Sequence, residues 1–171
     1  MCDSLPARAT APAATTADIP TLVIDTQVVM DWLVFNDARV QTLVQALTEK
    51  KVRWLGQAAM LDEILHVLGR GVAASYGPDP LLVTQGFAQY CEMTTVAPPR
   101  AERLICRDRD DQMFIDLAVA VRARWLVSRD RAVLALAKRA RAFGVDILTP
   151  ERWTAEFGTT LIAPATCDRV G

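Results

Sequence analysis

Short runs rich in β-branched and aromatic residues recur along the chain at TLVI (21–24), VRWL (52–55), TTVAPP (94–99), WLVS (125–128) and VDIL (145–148). Their length and their bounding turn residues predict strands. The segments between them carry apolar residues at helical spacing. Residues 27–34 and 38–50 form two such pieces, broken at Asn36 and Asp37, with Val40, Leu43, Val44 and Leu47 on one face of the second. Further helices are predicted over 57–70, stopped by Gly69 and Gly71, over 80–92 after GPDP, over 111–122, over 131–143, and over 150–157 with Pro150 in the first turn. Strands that alternate with helices through short loops predict an α/β fold: one parallel β-sheet flanked by helices on both faces. The reading gives a single domain over 20–157. An Ala-, Pro- and Thr-rich lead-in, expected to be disordered, occupies 1–19, and a tail occupies 158–171.

With 171 residues, 51% of them apolar and 23% charged, the chain is long enough for one sizeable core and ordinary for a soluble globular domain. No apolar run approaches the roughly 18 residues of a membrane helix. The first twenty residues hold no continuous apolar stretch of the secretory kind, so a cytoplasmic protein with no membrane association is expected. Cys2, Cys91, Cys106 and Cys167 form no C-x-x-C pair, and His66 is the only histidine. Zinc is therefore not expected, and the thiols read as free.

The acids change the picture. Asp25 closes the first strand, and Asp130 follows the fourth in RWLVSRD. In one parallel sheet both reach the same C-terminal edge, where open α/β sheets place their ligands. Between them in sequence lies CRDRDDQMF (106–114). Carboxylates that converge repel one another unless a cation lies between them, which points to a hard divalent metal. Each acid alone has a plainer reading. Asp25 and Asp130 can be helix N-caps, and Asp110 and Asp111 ordinary first-turn acids. Asp62 and Glu63 lie at opposite borders of the apolar face of QAAMLDEILHVLGR, and helical geometry does not choose between them. Asp116 lies in a helix apolar almost all round, so it needs a partner, either as an accessory acid of the site or through an arginine. His66 and the four tryptophans read as surface and core residues, and GRG (69–71) is no phosphate loop. Residues 100–141 carry eleven Lys/Arg against six Asp/Glu, a balance of +5, while the remainder carries −6. That is either a set of solvated helix faces or a basic rim around an acidic pocket, suited to a polyanion.

Taken in order, the strand ending Asp25-Thr26, the Glu63 helix in L-D-E-I-L-H-V-L, D-x-x-F-x-x-x-A (Asp111, Phe114, Ala118), L-V-S-x-D and I-L-T-P-E-x-W resemble the PIN-domain ribonucleases. The similarity is closest to bacterial PIN proteins classed as toxin components of toxin–antitoxin systems, related to VapC-type toxins, and it spans about residues 21–157. The resemblance implies an acidic quartet at Asp25, Glu63, Asp111 and Asp130, with Asp25 and Asp130 as principal ligands of Mg²⁺ or Mn²⁺. It implies supporting roles for Thr26, Gln27 and Ser128, beside the accessory candidate Asp116. Arg107, Arg109, Arg129 and Arg131 flank the acids and are expected to hold an RNA backbone. The implied activity is metal-assisted hydrolysis of RNA phosphodiesters, with an antitoxin protein and a second copy of the chain as partners. The family's first motif is usually Asp-Thr-Asn. Here Gln27 adds a methylene, which keeps open a catalytically weak, RNA-binding PIN fold. A phosphatase of the haloacid dehalogenase type also begins on a strand-terminal Asp, but it wants an acid where Gln27 stands.

Overall fold

A computed structural model describes residues 19–96 and 103–162. Five strands, β1 (Thr21–Ile24), β2 (Arg53–Gly56), β3 (Cys91–Met93), β4 (Trp125–Val127) and β5 (Asp146–Leu148), form one sheet in the order β3-β2-β1-β4-β5. Every pairing is parallel. Leu22, Val23 and Ile24 of β1 and Trp125, Leu126 and Val127 of β4 are all buried. Neighbouring strand residues point to opposite faces, so both faces of the sheet are covered.

The helices are α1 (Thr26–Leu33), α2 (Gln41–Thr48), α3 (Ala58–Gly69), α4 (Pro80–Tyr90), α5 (Gln112–Ala120), α6 (Arg131–Leu134), α7 (Ala137–Ala140), α8 (Pro150–Trp153) and α9 (Thr159–Ile162). Aromatic residues fix how several of them seat. Trp54 of β2 meets Phe87 of α4 edge-on at 4.7 Å and Trp32 of α1 at 6.1 Å. Trp125 of β4 meets Trp153 of α8 edge-on at 5.7 Å. Such pairs add to the burial of their own area. Cys91 and Cys106 are buried free thiols, and burial pushes the Cys91 thiol up to about 12. Cys2 and Cys167 lie outside the described residues.

Three expectations differ from what is observed. The third strand is Cys91–Met93, not 94–99, of which 97–99 lie outside the described residues. Its register is set by pairing with β2, Trp54 opposite Cys91, and by the Arg53–Glu92 ion pair, which outweigh the stronger β-propensity of TTV. The helix expected over 131–143 is broken into α6, α7 and a 3-10 turn at Arg141–Phe143. The ladder tightens where the Leu136 N–H bonds to the Val133 carbonyl. The expected domain end at 157 falls short, because a π-helical turn, Thr154–Gly158, leads into α9. That turn packs on α2 so closely that a Cβ on Gly158 would stand 2.6 Å from Thr42 Cγ2.

Gly56, at the end of β2, has a similar role in the core. A Cβ there would stand 2.5 Å from Cys91 Sγ and 3.2 Å from Phe87 Cζ. Gly56→Ala is expected to cost about 1–3 kcal/mol through overpacking. Cys91→Ala on the same background should recover part of the loss. Thermal melts of the two variants check this, and an unchanged midpoint in Gly56→Ala would contradict it.

Candidate active site

From β1 the chain moves outward through β2 to β3, then crosses back to place β4 on the other side of β1. The direction of winding therefore switches between β1 and β4, and a crevice opens at their carboxyl ends. Ile24 is in register with Val127, and the Asp25 N–H donates to the Val127 carbonyl at 3.1 Å. This sets Asp25 level with Ser128, two residues before Asp130. The two strand-terminal acids thus share one crevice.

Both also cap helices. Asp25 Oδ1 accepts from the Val28 N–H of α1 at 2.9 Å, and Asp130 Oδ1 accepts from the Ala132 N–H of α6 at 2.6 Å. The capping role does not use up either group, since a carboxylate offers about four acceptor sites. Asp25 Oδ2 accepts the Arg129 N–H at 3.2 Å. Ser128 is fully buried between the two acids. Its Oγ accepts the Asp130 N–H at 3.0 Å.

Asp111 precedes α5, which packs on β1 and β4, but its side chain makes no cap hydrogen bond. Its carboxyl is pushed up to about 7, first by burial and then by the charges of Asp130, Asp108, Asp25 and Asp110. Asp25 is pushed up to about 6 by burial. The Ser128 hydroxyl and the Val28 and Arg129 N–H groups hold it back, and Asp130 raises it further. The charge of Asp130 thus reaches both Asp25 and Asp111, and that of Asp25 reaches Asp111.

Glu63 comes from α3. It is half-buried while Asp62 is exposed, so Glu63 is the more enclosed of the two border acids. It lies five residues into α3, about 8 Å along the axis at 1.5 Å per residue. It is not among the charges that dominate the titration of Asp25 or Asp111. Gln27 is exposed and makes no hydrogen bond to the aspartates or to Ser128. Thr26 Oγ1, next to Asp25, is buried without a partner among the described residues.

Asp116 resolves in favour of the arginine. It pairs with Arg103, and the Gln112 side-chain amide donates to its Oδ1 at 2.8 Å. Gln112 also donates to the Leu104 carbonyl and accepts from the Cys106 N–H, both at 2.8 Å. Gln112 and Asp116 thereby strap the 103–106 segment to α5 just before the acidic cluster.

Of the four flanking arginines, Arg107, Arg109 and Arg131 are exposed. With Asp108, Asp110, Asp130 and the apolar Ile105 and Leu136 they line a cleft of about 980 Å³ beside the aspartates. Arg129 differs from the expectation. Its side chain is only 16% exposed and is bound to Asp31 of α1 and Glu151 of α8. Sequence reasoning missed Asp31 and Glu151. The signal available for Asp31 was the one used for Asp116, an acid inside an apolar helix. Another cleft, of about 720 Å³, lies at the opposite edge of the sheet, and the acid lining it among the described residues, Glu92, is bridged to Arg53.

The donor set suits a hard divalent ion: carboxylate oxygens that repel one another and an unpartnered hydroxyl beside them. Among the described residues, no three Asp, Glu, His or Cys side chains stand close enough to cage an ion as they are. Nor, among these residues, is any helix long and apolar enough to cross a membrane. The model of the PIN domain matches residues 21–132, a span that includes all four candidate acids. No curated protein matches the chain. The chain therefore belongs to the PIN-domain family, and its fold is a nuclease fold.

Proposed function

We propose that the protein is a metal-dependent endoribonuclease, the toxin component of a toxin–antitoxin module. The observation that carries this reading is the delivery of Asp25 and Asp130 to one crevice at the carboxyl ends of β1 and β4, whose charges also raise Asp111. Asp25 and Asp130 would be the principal ligands of Mg²⁺ or Mn²⁺, Asp111 a third, and Glu63 a further ligand acting directly or through water. Bound there, the ion supplies an activated water and neutralises charge on the leaving oxygen.

The remaining work belongs to the chain. The Val28 and Arg129 amides orient Asp25, and the Ala132 amide orients one oxygen of Asp130. Arg107, Arg109 and Arg131 hold the RNA backbone along the cleft through phosphate contacts. The resemblance supports a cognate antitoxin and a two-fold dimer, and a cytoplasmic setting rests on the composition.

Purified protein with Mn²⁺ is expected to cut a mixed pool of single-stranded RNAs, to lose that activity with EDTA, and to weaken in RNA binding as salt rises. Light scattering on the same sample is expected to give twice the chain mass, and a monomer mass would remove the dimer. RNA left uncut would remove the nuclease. Its replacement would be a PIN fold that binds RNA without turnover, favoured by the exposed Gln27 and by the absence of a preformed cage among the described residues. The phosphatase alternative finds no support, because Gln27 cannot serve as a proton donor of carboxylic type.

A further inference from the structure

Arg129 stands between the candidate site residues Ser128 and Asp130, yet its guanidinium turns inward. Nε donates to Asp31 Oδ2 and Nη1 to Glu151 Oε1, both at 2.5 Å. Asp31 is 8% exposed and lies in α1, six residues after the helix's cap Asp25. Glu151 lies in the first turn of α8, beyond the residues matched by the family model. Glu151 also reaches Arg39 at 3.9 Å, and Arg39 is itself held by Asp37. One guanidinium gripped by carboxylates from two helices has little freedom to rotate. A planar fork can satisfy two acids at fixed angles, which an ammonium group cannot do. The backbone of the same residue donates its N–H to Asp25 Oδ2 at 3.2 Å.

We propose that Arg129 is a positioning residue and not an RNA contact. The clamp of Asp31 and Glu151 on its side chain fixes the backbone amide that orients Asp25, and so α8 sets the metal affinity of the site. The inference rests on the metal-site reading for its consequence, but its geometric half stands without it. Among the described residues, the Asp25 carboxylate accepts this amide and the Val28 amide. Loosening the amide leaves Oδ2 free to swing and also relaxes the loop that delivers Asp130. Outer partners that orient a metal ligand typically govern 10- to 100-fold in affinity.

The test uses the full chain and three variants: Glu151→Gln, Arg129→Lys and Arg129→Gln. Glu151 is 42% exposed at its side chain, so Glu151→Gln is expected to fold even where an Arg129 change does not. Amide hydrogen exchange, read by NMR without metal, is expected to show about tenfold lower protection at Arg129 in Glu151→Gln, with Leu126 and Val127 unchanged. Mn²⁺ titration calorimetry is expected to show about tenfold weaker binding in Glu151→Gln. Arg129→Lys should not restore the parent affinity. The salt slope of single-stranded RNA binding is expected to match the parent in Glu151→Gln and in Arg129→Gln. Unchanged protection at Arg129 in Glu151→Gln would overturn the clamp. A slope flattened by about 0.7 in Arg129→Gln would make Arg129 a phosphate contact, and would overturn it too. Should the parent protein bind no Mn²⁺ while the protection still falls, the positioning of Asp25 stands and the metal reading fails on its own.

Discussion

Asp130→Asn is expected to fold as the parent does and to cut RNA at least about a hundredfold more slowly, the upper end of what disturbing a metal ligand's outer partner costs. The fold should survive because the structural duty of Asp130 is a cap. Its Oδ1 accepts the Ala132 N–H, and an asparagine oxygen caps a helix as well as an aspartate does. What the substitution removes is the charge. Asp130 is the charged neighbour that most raises Asp111, and the one that raises Asp25. Without it the crevice loses much of its appetite for a cation. Asp130→Ala provides the contrast, since it removes cap and charge together and should cost about 1 kcal/mol of stability as well. Single-turnover cleavage with Mn²⁺, beside thermal melts of both variants, checks the pair. Parent-like cleavage by Asp130→Asn would end the ligand role of Asp130.

Why the acids were legible in the sequence, while the clamp was not, follows from the range over which each is determined. A central parallel strand is buried on both faces, so it must be an unbroken apolar run. The first charge after TLVI can only be at its edge. Asp25 and Asp130 are thus fixed by local pattern plus the parallel topology. Helical spacing left Asp62 and Glu63 open, because the border of an amphipathic face depends on what packs beside it. Here the packing encloses Glu63 and leaves Asp62 in solvent. The fate of Arg129 depends on partners 98 and 22 residues away in sequence, and no local pattern carries that. Composition grouped it with Arg107, Arg109 and Arg131, and only the fold separates an arginine turned inward from three turned outward. The edge strand failed for the same reason. Its register belongs to Trp54 and Arg53 of the neighbouring strand, not to its own residues.

Without metal, Asp111→Asn is expected to be more stable than the parent at pH 8, nearly equal to it at pH 4, and less responsive to Mn²⁺. The Asp111 carboxyl is raised in the folded protein from an ordinary 3.8 to about 7. A raised carboxyl favours the folded state while protonated. That advantage is complete below pH 3.8 and is lost as pH rises through about 7. Asp25, raised to about 6, loses its share over a lower window, and a two-unit shift on so buried a group corresponds to about 3 kcal/mol. Asp111 is only half-buried, so solvent screens its part, and removing its charge should return about 1 kcal/mol at pH 8. Two competing effects are smaller. No cap hydrogen bond is lost, because the Asp111 side chain makes none. The helix dipole of α5 favours a carboxylate there by about 0.3–1 kcal/mol, and that attraction is already outweighed in a carboxyl whose net shift is upward. Mn²⁺ should reverse the order of the two proteins. At a hundred times its dissociation constant it stabilises the parent by about 2.7 kcal/mol, whereas the variant binds it more weakly and gains less. Urea melts from pH 4 to 8, with and without Mn²⁺, should therefore cross. If Asp111→Asn is the less stable protein at pH 8 without metal, or gains as much from Mn²⁺ as the parent, Asp111 is not part of a repelling cluster built to receive a cation.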